Sequence, residues 1–202
     1  MATYQNSRYN IALPSGSGGA LVHIKTLTAS SSATLSFVDG TSDVVLDNTY
    51  RTYIFKWINV HPSSDGWRLT FQGNAAGGSG YNETITSTFF YAYHDEADSE
   101  TGVSYYGGGD QAQGTAFQRF SSGGVGNGND ESTSGYLHLF NPSDTTFVTH
   151  FIGSNVVYQD NNSVNHNFIS GYFNTTSAID EIQFKFDSGD IDAGDICLYG
   201  IN

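Results

Sequence analysis

The chain has 202 residues, of which only 13% are charged, and its 20 acids against seven lysines and arginines leave a net charge of −13. Such a surface repels phosphate backbones and anionic bilayers, which argues against nucleic acid and membrane insertion, and no run approaches the ~18 apolar residues of a membrane span. A single cysteine excludes an internal disulfide, while 24 glycines, 13 tyrosines and 14 phenylalanines with few helical periods point to a turn-rich, all-β chain.

Residues 1–19 are polar and end in Pro14-Ser15-Gly16-Ser17-Gly18-Gly19, the composition of a flexible arm or linker. Its Tyr4 and Tyr9, with Ile11 and Leu13, are candidates to dock on a neighbouring molecule; a terminus folded over its own domain is the other reading. The start lacks the apolar core of a signal peptide, so the product is expected to be made in a cytoplasm. Residues 20–202 read as one domain. Ala20–Thr28 is a predicted strand, returning through Ser30-Ser31 into Ala33–Phe37 as a hairpin. Arg51–Val60 places Tyr53, Phe55 and Trp57 on one face and Ile54, Lys56 and Ile58 on the other, a period of two. His61-Pro62 ends it, and Trp67–Gln72 runs back. Thr84–His94 is a long strand whose Phe89, Tyr91 and Tyr93 are expected in the core.

Residues 95–129 are irregular, with one short strand at Phe117–Phe120; a loop region of that length is usually functional or partly disordered. Gly135–Phe140 and Thr145–Ser154 form a hairpin across Asn141-Pro142-Ser143-Asp144, extended by Val156–Gln159. Asn167–Asn174 follows. The segment from Ser177 then supplies a closing strand pair: Ile182, Phe184 and Phe186 alternate with polar residues, a turn at Asp187-Ser188-Gly189-Asp190 intervenes, and Ile196-Cys197-Leu198-Tyr199-Gly200-Ile201 is apolar on both faces. Nine to eleven strands with turns every 8–15 residues predict an all-β, two-sheet antiparallel sandwich, jelly-roll-like, with long glycine-rich loops.

Few constellations carry chemistry. The acids at Asp95, Glu96, Asp98 and Glu100, and at Asp187, Asp190, Asp192 and Asp195, lack calcium-loop spacing. His23, His61, His94, His138, His150 and His166 show no zinc-site spacing, although His138 and His150 can approach across the hairpin. There is no GxSxG elbow, Cys197 sits in an apolar strand, and the tracts at Gly77-Gly78-Ser79-Gly80 and Gly123-Gly124-Val125-Gly126 lack the lysine of a phosphate loop. No catalytic residue, metal or cofactor is therefore expected, and the chain reads as a non-enzyme. Tyr105 and Tyr106, in a glycine-rich stretch, either stack on a sugar ring or anchor a protein contact, or else fold back as a satellite cluster.

Several stretches carry a resemblance. They are Ile24-Lys25-Thr26-Leu27-Thr28-Ala29-Ser30-Ser31-Ser32-Ala33-Thr34-Leu35-Ser36-Phe37, Asn59-Val60-His61-Pro62, Leu137-His138-Leu139-Phe140-Asn141-Pro142-Ser143, Thr175-Thr176-Ser177-Ala178-Ile179 and the run Gly189–Ile201. Over roughly residues 20–201 the chain resembles small virion structural proteins of marine tailed phages, those of cyanobacteria and pelagic bacteria. At Cys197 such endings usually carry a polar residue, often lysine. The resemblance implies a virion component without catalytic residues, and the negative charge and glycine- and aromatic-rich composition suit the particle exterior, as capsid decoration or tail or fibre subunit. Its expected partners are other virion proteins and further copies of itself, with a trimer in view. The alternative expectation is a carbohydrate-binding module of a fibre tip that reads a host surface glycan through Tyr105 and Tyr106.

Overall fold

The computed structural model describes residues 21–201; Tyr4, Tyr9 and the arm at 1–19 lie outside the described residues. Thirteen strands are present: β1 (Leu21–Thr28), β2 (Leu35–Val38), β3 (Thr52–Pro62), β4 (Leu69–Ala75), β5 (Ile85–Asp95), β6 (Thr101–Tyr105), β7 (Ala112–Gly114), β8 (Gln118–Arg119), β9 (Thr133–Phe140), β10 (His150–Gln159), β11 (Ser163–Phe173), β12 (Ile179–Phe186) and β13 (Ile191–Ile201). Among the described residues there is no helix, and the all-β expectation holds. Nine strands form one antiparallel sheet in the order β1-β13-β3-β9-β10-β11-β5-β6, with β7 also on β5; four form a second, β2-β12-β4-β8.

The period-two pattern of β3 and β12 dictates what fills the space between the sheets. Tyr53, Phe55 and Trp57 of the large sheet are sealed from solvent, as are Ile182 and Phe184 of the small one. Phe184 sits at the centre, its ring within 5.4 Å of Phe55, 6.2 Å of Phe37, 6.2 Å of Phe120 and 6.5 Å of Phe71 between centroids. Phe71 and Phe120 stack at 4.9 Å, and Trp57 lies on Phe120 at 4.4 Å. Each such ring contributes about 1.5–3 kcal/mol by leaving water, with an increment for edge and offset contacts.

Strand pairing corrects the sequence expectation in three places. The strands at Ala20–Thr28 and Ala33–Phe37 are not a hairpin: β1 pairs β13, and β2 pairs β12 in the opposite sheet. The segment from Trp67 does not run back along β3 but enters the small sheet as β4. The final two strands do not pair with each other either; β12 lies between β2 and β4, and β13 between β1 and β3. Alternation states which face of a strand is buried, and it is silent about which neighbour the strand takes. The crossing from β12 to β13 is pinned instead by side contacts: Asp187 and Arg68 exchange bonds at 2.9 Å, and the Asp190 and Ser63 backbones meet at 3.0 Å. The hairpin β9–β10 is as expected, in register from His150↔Phe140 to Val157↔Thr133. Its connection is longer than expected and is organised by Asp144, whose carboxylate accepts from Thr146 N (2.6 Å), Phe147 N (3.1 Å) and Asn141 Nδ2 (2.7 Å). The irregular stretch 95–129 contains β6, β7 and β8.

Candidate functional sites

The large sheet has one face on the core and one turned away. On the second face, cross-strand partners form continuous rows. One runs His23–Tyr199–Ile54–His138–Ile152–Ser170–Thr88 across seven strands. The next runs Thr26–Cys197–Lys56–Tyr136–Ser154–Phe168–Phe90–Tyr105 across eight. Ile54 and Cys197 are 8% exposed yet stand outside the core cluster, because their cover comes from this outer layer.

The composition of the layer is unlike the rest of the molecule. Its paired positions hold a single lysine, Lys56, and a single acid, Asp195, whose carboxylate accepts from Thr28 Oγ1 at 2.6 Å. Of the ten exposed large hydrophobic residues among the described residues, nine lie on it: Leu21, Ile58, Phe90, Val103, Tyr105, Tyr136, Ile152, Val156 and Val164; Phe147, in the β9–β10 connection, does not. Five of the six histidines are here too. His23 meets Tyr199 at 5.4 Å, His138 meets Tyr136 at 5.2 Å, His150 meets Tyr172 at 6.1 Å and His166 meets Phe168 at 4.2 Å. Burial holds the His138 imidazole below its ordinary pKa. His138 and His150 are diagonal neighbours on this face, as the hairpin predicts. Two shallow depressions notch it, one of about 450 Å³ beside Phe140, His150, Ile152 and Tyr172, the other of about 370 Å³ beside His94, Val156, Tyr158 and Val164.

Tyr105 and Tyr106, which the sequence offers as a pair, are separated by the sheet. Tyr105 ends the outer row, 58% exposed, with its hydroxyl donating to Asp110. Tyr106 turns to the core side, 5.3 Å from Phe89 and 6.0 Å from Tyr91. There it walls a third depression of about 320 Å³, on the core side of β5 and β11, lined by Tyr91, Tyr93, Tyr106, Glu100, Gln159 and Asn161 among others. So Tyr91 and Tyr93 are half-buried walls of an opening, not the sealed core residues their strand pattern suggests.

The acidic clusters serve turns. Asp95 accepts from Ser99 N and Glu100 N at 2.8 Å each, and from Ser99 Oγ; these bonds hold its carboxyl below the usual range. Asp187 is flanked by Arg68 Nη1 at 3.6 Å and Arg119 Nη2 at 3.5 Å, beside a cleft of about 430 Å³ that Lys185 also lines. Among the described residues no group of three or more His, Cys, Asp or Glu side chains is placed to hold a metal ion, and no helix is long and apolar enough to cross a membrane. Cys197 Sγ accepts from Thr26 Oγ1 at 3.4 Å.

No family model matches the chain, and neither the curated proteins nor the solved structures contain a match to it.

Proposed function

We propose that the protein is a non-enzymatic structural subunit of a phage particle, carried on the particle exterior and packed against further copies of itself through the outer face of the large sheet. One observation carries the reading: among the described residues, nine of the ten exposed large hydrophobic side chains share that face. Contiguous apolar surface of this kind marks an interaction site. The choice of occupant follows from charge. With a net −13 on each chain, two copies repel wherever carboxylates meet, and this face is where they can approach without that cost. Its size agrees. Seven strand spacings of about 4.8 Å by some eight residues of about 3.3 Å give roughly 900 Å², near the ~800 Å² per partner of a stable interface. The repeated passage of the chain between sheets, β1 to β2 to β3 to β4 to β5 and again β12 to β13, supports reading the sandwich as jelly-roll-like. The resemblance over residues 20–201 supports the particle, and the negative charge would keep the subunit off the packaged genome.

Sedimentation of the purified chain tests the contact. A dimer, trimer or larger oligomer is expected for the wild type, and a monomer for Ile152→Asp with Phe90→Asp. A wild-type monomer at all accessible concentrations would overturn it. Labelling intact particles with an antibody to the chain tests the location, and label confined to disrupted particles would refute an exterior position.

A further inference from the structure

We infer that the depression on the core side of β5 and β11 is a binding site for a neutral sugar ring. This goes beyond the assembly role proposed above and uses the opposite face of the same sheet.

The opening exists because the segment after β8 covers only part of β11: Ser122 N donates to Asn167 Oδ1 at 3.1 Å, and Asn165 Nδ2 donates to Ser122 Oγ at 2.7 Å. Past Gly123 the inner side of β5 is only partly covered, Tyr91 and Tyr93 being half-buried, and Tyr91, Tyr93 and Tyr106 form an aromatic corner, with Tyr91 and Tyr93 at 5.7 Å and Tyr91 and Tyr106 at 6.0 Å. Phenol rings offer an apolar face to the C–H side of a pyranose and a hydroxyl to its edge. Among the described residues none of these three hydroxyls has a hydrogen-bond partner.

Gln159 gives the second, independent sign. It is 7% exposed, and its Oε1 is taken by the Ser163 hydroxyl at 2.7 Å. Its Nε2 therefore faces the depression beside Gly123 with no acceptor among the described residues. A Cβ at Gly123 would fall 1.5 Å from that nitrogen, so glycine is what leaves room for the amide. Asn165, which also lines the depression, is 3% exposed, and its Oδ1 is buried with no partner among the described residues; such an acceptor is unfavourable unless something supplies a donor. A sugar hydroxyl does so.

The rim sets the class of sugar. Glu100 and Asp95 line it, and no lysine or arginine does. Asp95 is spent on its own turn, whereas the Glu100 carboxylate is free to accept from two adjacent hydroxyls. An acidic pocket without cations refuses uronic and sulfated sugars. A volume of about 320 Å³ is at the small end of the ~300–1,000 Å³ seen for ligand sites, which suits one ring held at a chain end or branch.

The test is a titration of isotope-labelled full chain, followed by amide chemical shifts, with glucose, galactose, mannose and glucuronate as separate probes. At least one hexose is expected to give saturable shifts at residues 91–93, 122–123 and 159–165 with a millimolar Kd, and glucuronate none. Glu100→Gln, at an exposed position that does not endanger folding, should weaken the hexose about tenfold, the effect of one lost charged hydrogen bond. Tyr93→Phe should weaken it while keeping the ring. Tyr105→Ala, on the other face, should leave binding unchanged. Absence of saturable shifts with all three hexoses, shifts at other residues, or a Glu100→Gln chain that binds as the wild type does would overturn the site. None of these results depends on the oligomeric state, so failure here leaves the assembly reading intact.

Discussion

Tyr105 and Tyr106 are consecutive in the chain and lie on opposite faces of one sheet, the first with its ring in solvent and the second at 5.3 Å from the buried Phe89. Their truncations should differ accordingly. Tyr106→Ala removes half-buried ring area and is expected to cost about 1–3 kcal/mol. Tyr105→Ala should fall within about 0.5 kcal/mol of wild type in a monomeric background. Urea unfolding of the two variants reads the difference directly.

Phe184 touches rings from both sheets, so its loss opens the space between them. Phe184→Ala should destabilise by about 3–5 kcal/mol, and Phe184→Leu by less, because the smaller change leaves a smaller void. The midpoint in urea should fall with an unchanged slope. A collapse of the slope would mean that the two sheets no longer unfold together.

Gly194 sits in the β13 bulge with φ at +104°, and a Cβ there would lie 2.5 Å from the Asn59 carbonyl oxygen. Gly194→Ala meets both an unfavourable dihedral and backbone it cannot displace. A loss of about 2–4 kcal/mol is expected, against a fraction of that for an unstrained glycine. Thermal unfolding of this variant beside Gly40→Ala, where φ is +69° but the space is open, separates the dihedral from the clash.

Asp144 gives an acid dependence with a definite sign. Hydrogen bonds from Thr146 and Phe147 hold its carboxyl below the ordinary value of 3.8. The unfolded chain therefore takes up its proton first. Stability from this turn is present above pH 3.8 and is lost as pH falls through the lower, folded value. Asp144→Asn should flatten that part of the stability curve, measured by denaturant midpoints between pH 5 and 2.5.

His138 predicts a second pH effect, again on stability. It faces Ile54 on β3 and Ile152 on β10, with Tyr136 and Phe140 on its own strand; Lys56 and His150 are its diagonal neighbours, and no carboxylate opposes it. Burial lowers its pKa from 6.5. Its contribution is present above pH 6.5 and is lost as pH falls through the lower folded value, when a cation would have to sit in an apolar layer. Denaturant midpoints should fall on acidification through that range, and His138→Gln should flatten the fall.

The strands themselves were legible because alternation is a local property. Tyr53, Phe55 and Trp57 declare one buried face within five residues, and the β9–β10 hairpin follows from Asn141-Pro142-Ser143-Asp144 between two apolar runs. Partner choice was not legible, since β1 pairing with β13 rests on no neighbouring residue. The outer layer was hidden for a related reason. His23, His138, His150 and His166 are scattered in sequence, and only the lateral order of strands brings them onto one surface. The proposed sugar site was half visible: the aromatic signal at Tyr106 was there, but Tyr91 and Tyr93 looked like core, and Gln159 carries no signal until the strand beside it is known. Tyr105 looked equivalent to Tyr106 because a pair of adjacent tyrosines says nothing about a sheet passing between them.

The pairing of β1 with β13 joins residues as far apart as Thr26 and Cys197, 171 positions along the chain. During translation β1 and β3 must therefore wait, edges bare, until β13 emerges between them. Contacts of such sequence separation are slow to form and leave strands open to wrong partners meanwhile. Many ribosomes making this chain at once would hold a crowd of half-zipped molecules, and the sparing use of charge on the outer layer makes that waiting period the time when clumping is hardest to avoid.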